Sequence, residues 1–203
     1  MGNVVIFLPA SVVSQAPGRP VILGVGAHDP RRPLESILDR VEEFGAAGVM
    51  NEPFVGMYSP DIRTDLEEAG LGFSRELQLI ERAVARSLLG FGWAFSPEES
   101  RALAGSGAHI IGAMLGPSRS DAGPLDSAVS AADSVAKAAL ASNPDVIVLA
   151  HGGPLTSPAI VRSFLLRSQC HGYATGSSAE RSPVIQAVAQ TIRDFVRPLG
   201  DES

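Results

Sequence analysis

The stretch Val146-Ile147-Val148-Leu149-Ala150-His151-Gly152-Gly153 decides how this chain folds. Its first five residues are apolar without a break, which is typical of a parallel strand that is covered on both faces. After the histidine and the two glycines, Ser157-Pro158 supplies a helix N-cap followed by proline at the first helical position. The stretch therefore predicts a β-strand, a turn and a helix, which together form one βα unit.

The same unit recurs along the chain. Six other short apolar runs end at turn residues and lead into segments of helical period: Val4–Leu8, Val21–Val25, Gly48–Met50, Gly90–Phe95, Ile110–Ala113 and Gly172–Thr175. About seven strands that each feed a helix predict an α/β protein of the TIM-type (β/α)-barrel class, in one domain over residues 1–203 and shortened at the N-terminus. An open doubly wound sheet is the alternative, but no G-x-G-x-x-G follows a strand at its expected place.

Local signals place the helices between these strands. Apolar stripes of helical period run from Leu34 to Val41 and from Phe73 to Leu88. Ser96-Pro97-Glu98-Glu99 has the composition of a capping box, and Asn143-Pro144 ends an Ala-rich helix that begins near Leu125.

The composition excludes several classes of protein. The 203 residues include 22 acidic and 16 basic side chains, for a formal net charge of −6, so the basic surface that binds nucleic acid or an anionic membrane is missing. The single cysteine, Cys170, excludes an internal disulfide and a thiolate cluster for structural zinc. The run Val4–Leu8 has no basic residues before it and is too short to span a membrane. We expect a cytoplasmic protein with a small-molecule substrate and with neither a nucleic-acid nor a membrane partner.

Candidate catalytic residues follow the predicted strands, because the carboxyl ends of barrel strands converge on one mouth. His151 ends a strand there and is a candidate acid, base or metal ligand. Asp29 and Glu52 are its candidate partners, and their carboxylates are also possible Mg²⁺ ligands. No dedicated metal motif is present, and no other cofactor is indicated.

Two glycine-containing turns at the same mouth are candidate anion sites. Gly152-Gly153 lets backbone N–H groups approach a ligand, and Gly176-Ser177-Ser178 adds hydroxyl donors beside a predicted helix start. The alternatives are a tight turn for the first and a helix cap for the second. Trp93 and Met114 belong to an aromatic and methionine-rich set around the mouth, which predicts either core packing or a ligand with an apolar part.

Four motifs together resemble the phosphoenolpyruvate hydrolase-like TIM-barrel family over about residues 21–195. They are, in order, Asn51-Glu52-Pro53-Phe54-Val55-Gly56, Asp65-Leu66-Glu67-Glu68-Ala69-Gly70-Leu71-Gly72-Phe73, His151-Gly152-Gly153-Pro154 and Gly176-Ser177-Ser178-Ala179-Glu180-Arg181-Ser182-Pro183. The resemblance implies a (β/α)₈ barrel related to phosphoenolpyruvate-handling enzymes. The positions that match the family are Asp29, Asn51, Glu76, His151, Ser177, Ser178, Glu180 and Arg181.

The chain also departs from the family. Met114 stands where the family has a histidine, which weakens the case for metal-assisted or phosphoryl chemistry. The basic, Gly-rich loop after an early strand is missing, and the family's first βα unit has no counterpart. We therefore expect a second chain, the same or a different one, to close the shortened barrel in an oligomer.

These features predict a hydrolase or lyase acting on a carboxylate- or enol-containing metabolite by acid/base chemistry. His151 would transfer the proton, with Asp29 or Glu52 orienting it, and Arg181 would neutralise developing negative charge. Asn51 and Glu180 are further candidate catalytic residues. One alternative is a repurposed barrel of specialised metabolism that cyclises or isomerises a more apolar substrate. Another is a non-catalytic ligand-binding or partner subunit.

Overall fold

A computed structural model describes residues 13–119, 121–176, 184, 186–188 and 190. It contains a parallel sheet of six strands, each paired with its neighbours in sequence: β1 (Ile22–Gly24), β2 (Gly48–Met50), β3 (Leu89–Ala94), β4 (Ile110–Met114), β5 (Ile147–His151) and β6 (Gly172–Tyr173). The predicted α/β fold with parallel strands is confirmed. The predicted strand Val4–Leu8 lies outside the described residues.

The strand order distinguishes the two candidate architectures. The order runs β1 to β6 without reversal, whereas a doubly wound sheet reverses at a switch point. Sequential order is the arrangement of strands in a (β/α) barrel. Within the described residues the sheet is open, since β1 pairs only with β2 and β6 only with β5.

Helices connect the strands and cover one face of the sheet. They are α1 (Leu34–Glu43), a 3₁₀ turn (Val55–Met57), α2 (Pro60–Glu68), α3 (Phe73–Ala85), α4 (Pro97–Gly105), α5 (Leu125–Ser142) and α6 (Pro158–Leu165). The predicted caps form: Ser96 Oγ accepts a hydrogen bond from Glu99 N–H, and Ser157 Oγ accepts one from Ile160 N–H. Among the described residues, no helix combines the length and the hydrophobicity needed to cross a bilayer.

The alternation of side chains along β3 defines the two faces of the sheet. A Cβ on Gly90 would contact Ile80 of α3, and one on Gly92 would contact Leu103 of α4, so these positions face the helices. Phe91 and Trp93 therefore point to the opposite, inner face. On that face Gly112 of β4 leaves the space that the Trp93 ring occupies, since a Cβ there would overlap the indole. The main core lies between the sheet and its helices.

Candidate functional site

The parallel register brings several predicted site residues to one edge of the sheet. His151 ends β5 and is paired in register with Met114, the last residue of β4. Trp93 lies next to the end of β3, with its ring centroid 5.4 Å from that of His151. A Cβ on Gly176, beyond β6, would lie 3.0 Å from His151 Cε1. His151, Met114, Trp93 and Gly176 thus form one group, which we call the β5 cluster.

The imidazole of His151 is oriented by the backbone. Its Nδ1 lies 2.7 Å from the carbonyl oxygen of Ala174, and because a carbonyl only accepts, Nδ1 carries the proton in this contact. In the tautomer with this Nδ1 proton, Nε2 carries the lone pair of the ring. We expected a carboxylate from Asp29 or Glu52 to orient the ring, and that expectation is wrong: Ala174 follows the neighbouring strand, whereas both carboxylates follow β1 and β2.

An aromatic wall flanks the histidine. Phe91 and Trp93 have ring centroids 4.7 Å apart, and Phe54 lies 6.3 Å from Trp93. Trp93 is 6 % exposed, and its indole N–H has no hydrogen-bond acceptor among the described residues. A buried donor without an acceptor costs about 1–3 kcal/mol, which a ligand oxygen would offset.

The two glycines after His151 allow the loop that follows β5 to pack closely against the loop that follows β4. Gly152 has φ +85° and Gly153 has φ +56°, and a Cβ on Gly152 would overlap the carbonyl oxygen of Gly116. The same oxygen accepts a hydrogen bond from Gly153 N–H at 3.1 Å. Contrary to the expectation that both amides face an anion, the amide of Gly153 is already used to join the loops that follow β4 and β5.

Asn51 and Glu76 form a buried network between β2 and β3. Asn51 Oδ1 accepts from Trp93 N–H at 2.7 Å, and Asn51 Nδ2 donates to Glu76 Oε2 at 2.7 Å and to the Trp93 carbonyl at 3.3 Å. Glu76 Oε1 accepts from Val55 N–H at 2.6 Å. Asn51 was expected among the catalytic residues. The structure corrects this, because its side chain is fully buried and its polar atoms are used within the protein.

Burial raises the pKa of Glu76 to about 7. Glu76 is 1 % exposed, and the loss of hydration that this implies disfavours the ionised form of its carboxyl group. The hydrogen bonds from Asn51 and Val55 oppose the shift, while the Glu99 carboxylate nearby adds to it. Glu99 itself pairs with Arg63 of α2 and accepts a hydrogen bond from Phe95 N–H at 2.8 Å.

The carboxylate of Asp29 forms its hydrogen bonds within its own loop. Its Oδ1 accepts from Arg31 Nε at 2.8 Å and its Oδ2 from Arg31 Nη2 at 3.1 Å. These hydrogen bonds lower the pKa of Asp29 to about 2, which makes it a weak proton acceptor at neutral pH. Both carboxylate oxygens of Asp29 bond Arg31, and its roles as partner of His151 and as Mg²⁺ ligand stay predictions. Among the described residues no group of three or more histidine, cysteine, aspartate or glutamate side chains could hold a metal ion.

The remaining predicted residues are placed as follows. Glu52 is exposed after β2, and its carbonyl oxygen lies close to Gly24 of β1. Ser177, Ser178, Glu180 and Arg181 lie outside the described residues. A cavity of about 620 Å³ lies beside β1 and α1 and has His28, Asp29, Arg31 and Pro53 among its lining residues; none of the β5 cluster lines it.

Two groups that hold the mouth were not predicted from the sequence. The Ala174 carbonyl belongs to the backbone, so the residue type at this position does not predict its contact with His151. Arg75 of α3 donates from Nε to the Ala27 carbonyl at 2.5 Å and from Nη2 to the Arg32 carbonyl at 3.0 Å. The helical stripe of α3 predicted which side of the helix is buried, but the two carbonyls lie 48 and 43 residues away in sequence.

Comparison with known proteins gives a consistent family. The model of the phosphoenolpyruvate hydrolase-like family matches residues 2–197. The ToMV resistance protein Tm-1(GCR237) of Solanum lycopersicum is 38% identical over 182 residues, which are 86% of this chain and 24% of that protein. The putative transcriptional regulatory protein y4pA of Sinorhizobium fredii is 30% identical over 183 residues, 87% of this chain and 30% of that protein. The chain thus spans less than a third of the length of these relatives.

Two solved structures resemble the fold distantly. The phosphoenolpyruvate phosphomutase of Streptomyces platensis subsp. rosaceus is 16% identical with a TM-score of 0.37, over 93% of this chain and 86% of that one. The nitroalkane oxidase of Streptomyces ansochromogenes is 16% identical with a TM-score of 0.39, over 75% of this chain and 56% of that one. The family assignment rests on the sequence matches.

Proposed function

This chain belongs to the phosphoenolpyruvate hydrolase-like family, and from that premise we propose that it is an enzyme acting on a small carboxylate- or enol-containing metabolite by acid/base chemistry. The reaction would be a hydrolysis or the cleavage of a C–C or C–O bond. The observation that supports the proposal is the orientation of His151: its Nδ1–H donates to the Ala174 carbonyl, which leaves Nε2 as the ring atom that would take and return a proton.

The contacts around His151 support an oxygen-bearing ligand. The buried Trp93 N–H lacks an acceptor among the described residues, and the Trp93 ring packs against the imidazole. A carboxylate or enolate oxygen bound there would satisfy the indole and lie near the proton-transferring group. Ser177, Ser178, Glu180 and Arg181 follow β6 in the sequence, and we propose that they complete the anion site. No step here requires Mg²⁺.

The test is a binding and turnover assay with a matched pair of histidine variants. His151→Asn keeps an N–H donor near the position of Nδ1 but removes Nε2, so it is expected to retain the fold and lose about 10²-fold or more in rate. The control is His171→Asn, because His171 Nδ1 accepts from Val148 N–H at 2.9 Å at the opposite end of the sheet and an Asn oxygen replaces that acceptor. Phosphoenolpyruvate, oxaloacetate and oxalate are the probes, followed by NMR of the products and by the fluorescence of Trp93, the sole tryptophan.

Equal turnover by the wild type and His151→Asn would contradict the proposed role of Nε2. Absence of binding of all three probes would contradict the ligand class.

A second candidate has its own support. The wall formed by Phe54, Phe91 and Trp93 beside Met114 offers apolar contact, which suits cyclisation or isomerisation of a larger apolar acid. A third is a non-catalytic binding module, in keeping with relatives named as a ToMV resistance protein and a putative transcriptional regulatory protein. Preference for a hydrophobic acid over oxalate would favour the second, and tight binding without turnover would favour the third.

A further inference from the structure

The loop between β1 and α1 is tied to the rest of the mouth mainly through one side chain. Within the loop, Asp29 N–H donates to the Gly26 carbonyl, and Arg31 bonds the Asp29 carboxylate through backbone and side chain. These contacts are local and fold the loop onto itself. At the start of the loop, Val25 N–H donates to the Met50 carbonyl of β2 at 2.8 Å. Beyond that residue, the long-range polar contacts described for the loop come from Arg75, which donates to the carbonyls of Ala27 and Arg32.

Arg75 braces the loop, in the sense that one guanidinium group donates hydrogen bonds to two of its carbonyls. The two carbonyls that it contacts stand on either side of His28 and Asp29 in the chain. Because the guanidinium group is planar and rigid, donation from Nε and Nη2 fixes the distance between the two carbonyls as well as their position. Arg75 is half-buried and forms no ion pair with a carboxylate among the described residues, so its charge is directed to neutral carbonyl oxygens.

The neighbouring residue performs the same task for the next loop. Glu76 accepts from Val55 N–H and from Asn51 Nδ2, which fixes the segment that follows β2. Both residues belong to the first turn of α3. Successive residues of one helical turn thus hold the loops that follow β1 and β2, and Asn51 extends the frame to β3 through Trp93.

We propose that Arg75 is a positioning residue of the mouth, which acts through the β1–α1 loop by bracing Ala27 and Arg32 so that His28, Asp29 and Arg31 keep their places in the cavity wall. The charges of Asp29 and Arg31 offset each other in their ion pair, and Arg32, which also lines the cavity, adds a positive charge to this wall. The inference rests on the proposed function for its ligand, a small carboxylate, but the bracing of the loop stands on the contacts alone.

The test compares variants at two positions of the same helix. Arg75→Ala removes both donors, Arg75→Lys retains the charge with donors in a different geometry, and Arg82→Ala is the control, since Arg82 lies two turns later and pairs with the exposed Glu35. Hydrogen exchange followed by mass spectrometry reports the amides of residues 27–32. Isothermal titration calorimetry reports oxalate affinity, because Trp93 does not line this cavity. We expect exchange at residues 27–32 to rise about tenfold in Arg75→Ala, to rise less in Arg75→Lys, and to stay unchanged in Arg82→Ala.

Oxalate affinity separates a positioning role from a purely structural one. We expect it to fall about tenfold in Arg75→Ala, to recover in part in Arg75→Lys, and to remain within about twofold in Arg82→Ala. Unchanged exchange at residues 27–32, or a rise spread evenly over the sheet, would overturn the inference, and the Lys variant provides this reading if the Ala variant does not fold. If the wild type binds no oxalate, the proposed ligand class fails while the exchange data still decide the role of Arg75.

Discussion

The two sides of the mouth differ in how their polar groups are used. On the β2–β3 side, Asn51 and Glu76 are buried and bonded to each other and to the backbone. On the β5 side, His151 is held by the Ala174 carbonyl, and the indole N–H of Trp93 has no acceptor among the described residues. Polar groups whose hydrogen bonds are all made within the protein hold the loops in place, whereas groups with an unused donor or lone pair can act on a ligand. The first side is therefore framework, and we propose that the second side carries the chemistry.

The largest expected effect tests whether part of the β5 side is also framework. Gly152→Ala would place a Cβ against the Gly116 carbonyl oxygen at a positive φ, and we expect a loss of about 4 kcal/mol in the free energy of unfolding. Gly116→Ala is the matched control: its φ is +90° but nothing lies within 4 Å of the added Cβ, so only about 1–2 kcal/mol is expected. Urea unfolding of both variants measures the difference, and equal losses would show that the loop contact contributes nothing.

The next effect concerns the framework side. Asn51→Ala leaves the backbone N–H of Trp93 and one carboxylate oxygen of Glu76 without their partner in a buried site. We expect a loss of about 3 kcal/mol in the free energy of unfolding, or roughly 6–12 °C in Tm for a chain of this size. Asn143→Ala is the control, since among the described residues its Oδ1 accepts from Asp145 N–H alone, in a half-buried turn. A loss at Asn51 no larger than the one at Asn143 would contradict the framework assignment.

The smallest expected effect is a pH dependence of the free energy of unfolding, which tests the assignment of Glu76 to the framework. The pKa of Glu76 is about 7 in the folded protein against an ordinary value of 4.5, so between these values the folded state holds a proton that the unfolded state has released. Stability from this group is therefore complete below about pH 4.5 and is lost as the pH rises through 7, by roughly 2 kcal/mol between pH 5 and 8. Glu76→Gln should flatten this slope in urea unfolding, and a wild-type slope retained in the variant would assign it to another group.

The sequence predicted most of the scaffold because its signals are local. Apolar runs predicted the six described strands within a residue or two, and Ser96 and Ser157 marked helix starts where the structure has them. Side-chain partners were predicted poorly. The bond between Asn51 and Glu76 spans 25 residues, and that between His151 and Ala174 spans 23; each depends on the register of strands and on the course of a loop. A histidine at the end of a strand predicted its own location but not which atom would orient it.

The sequential order of the strands has a consequence for how the protein is made. Each strand from β2 onward pairs with the strand that precedes it in the chain, so its partner has already left the ribosome when it emerges. The sheet can be assembled by adding one βα unit at a time, without waiting for distant segments, and loop closure stays short at every step. A polypeptide arranged in this way can begin to acquire its structure while its last residues are still being translated.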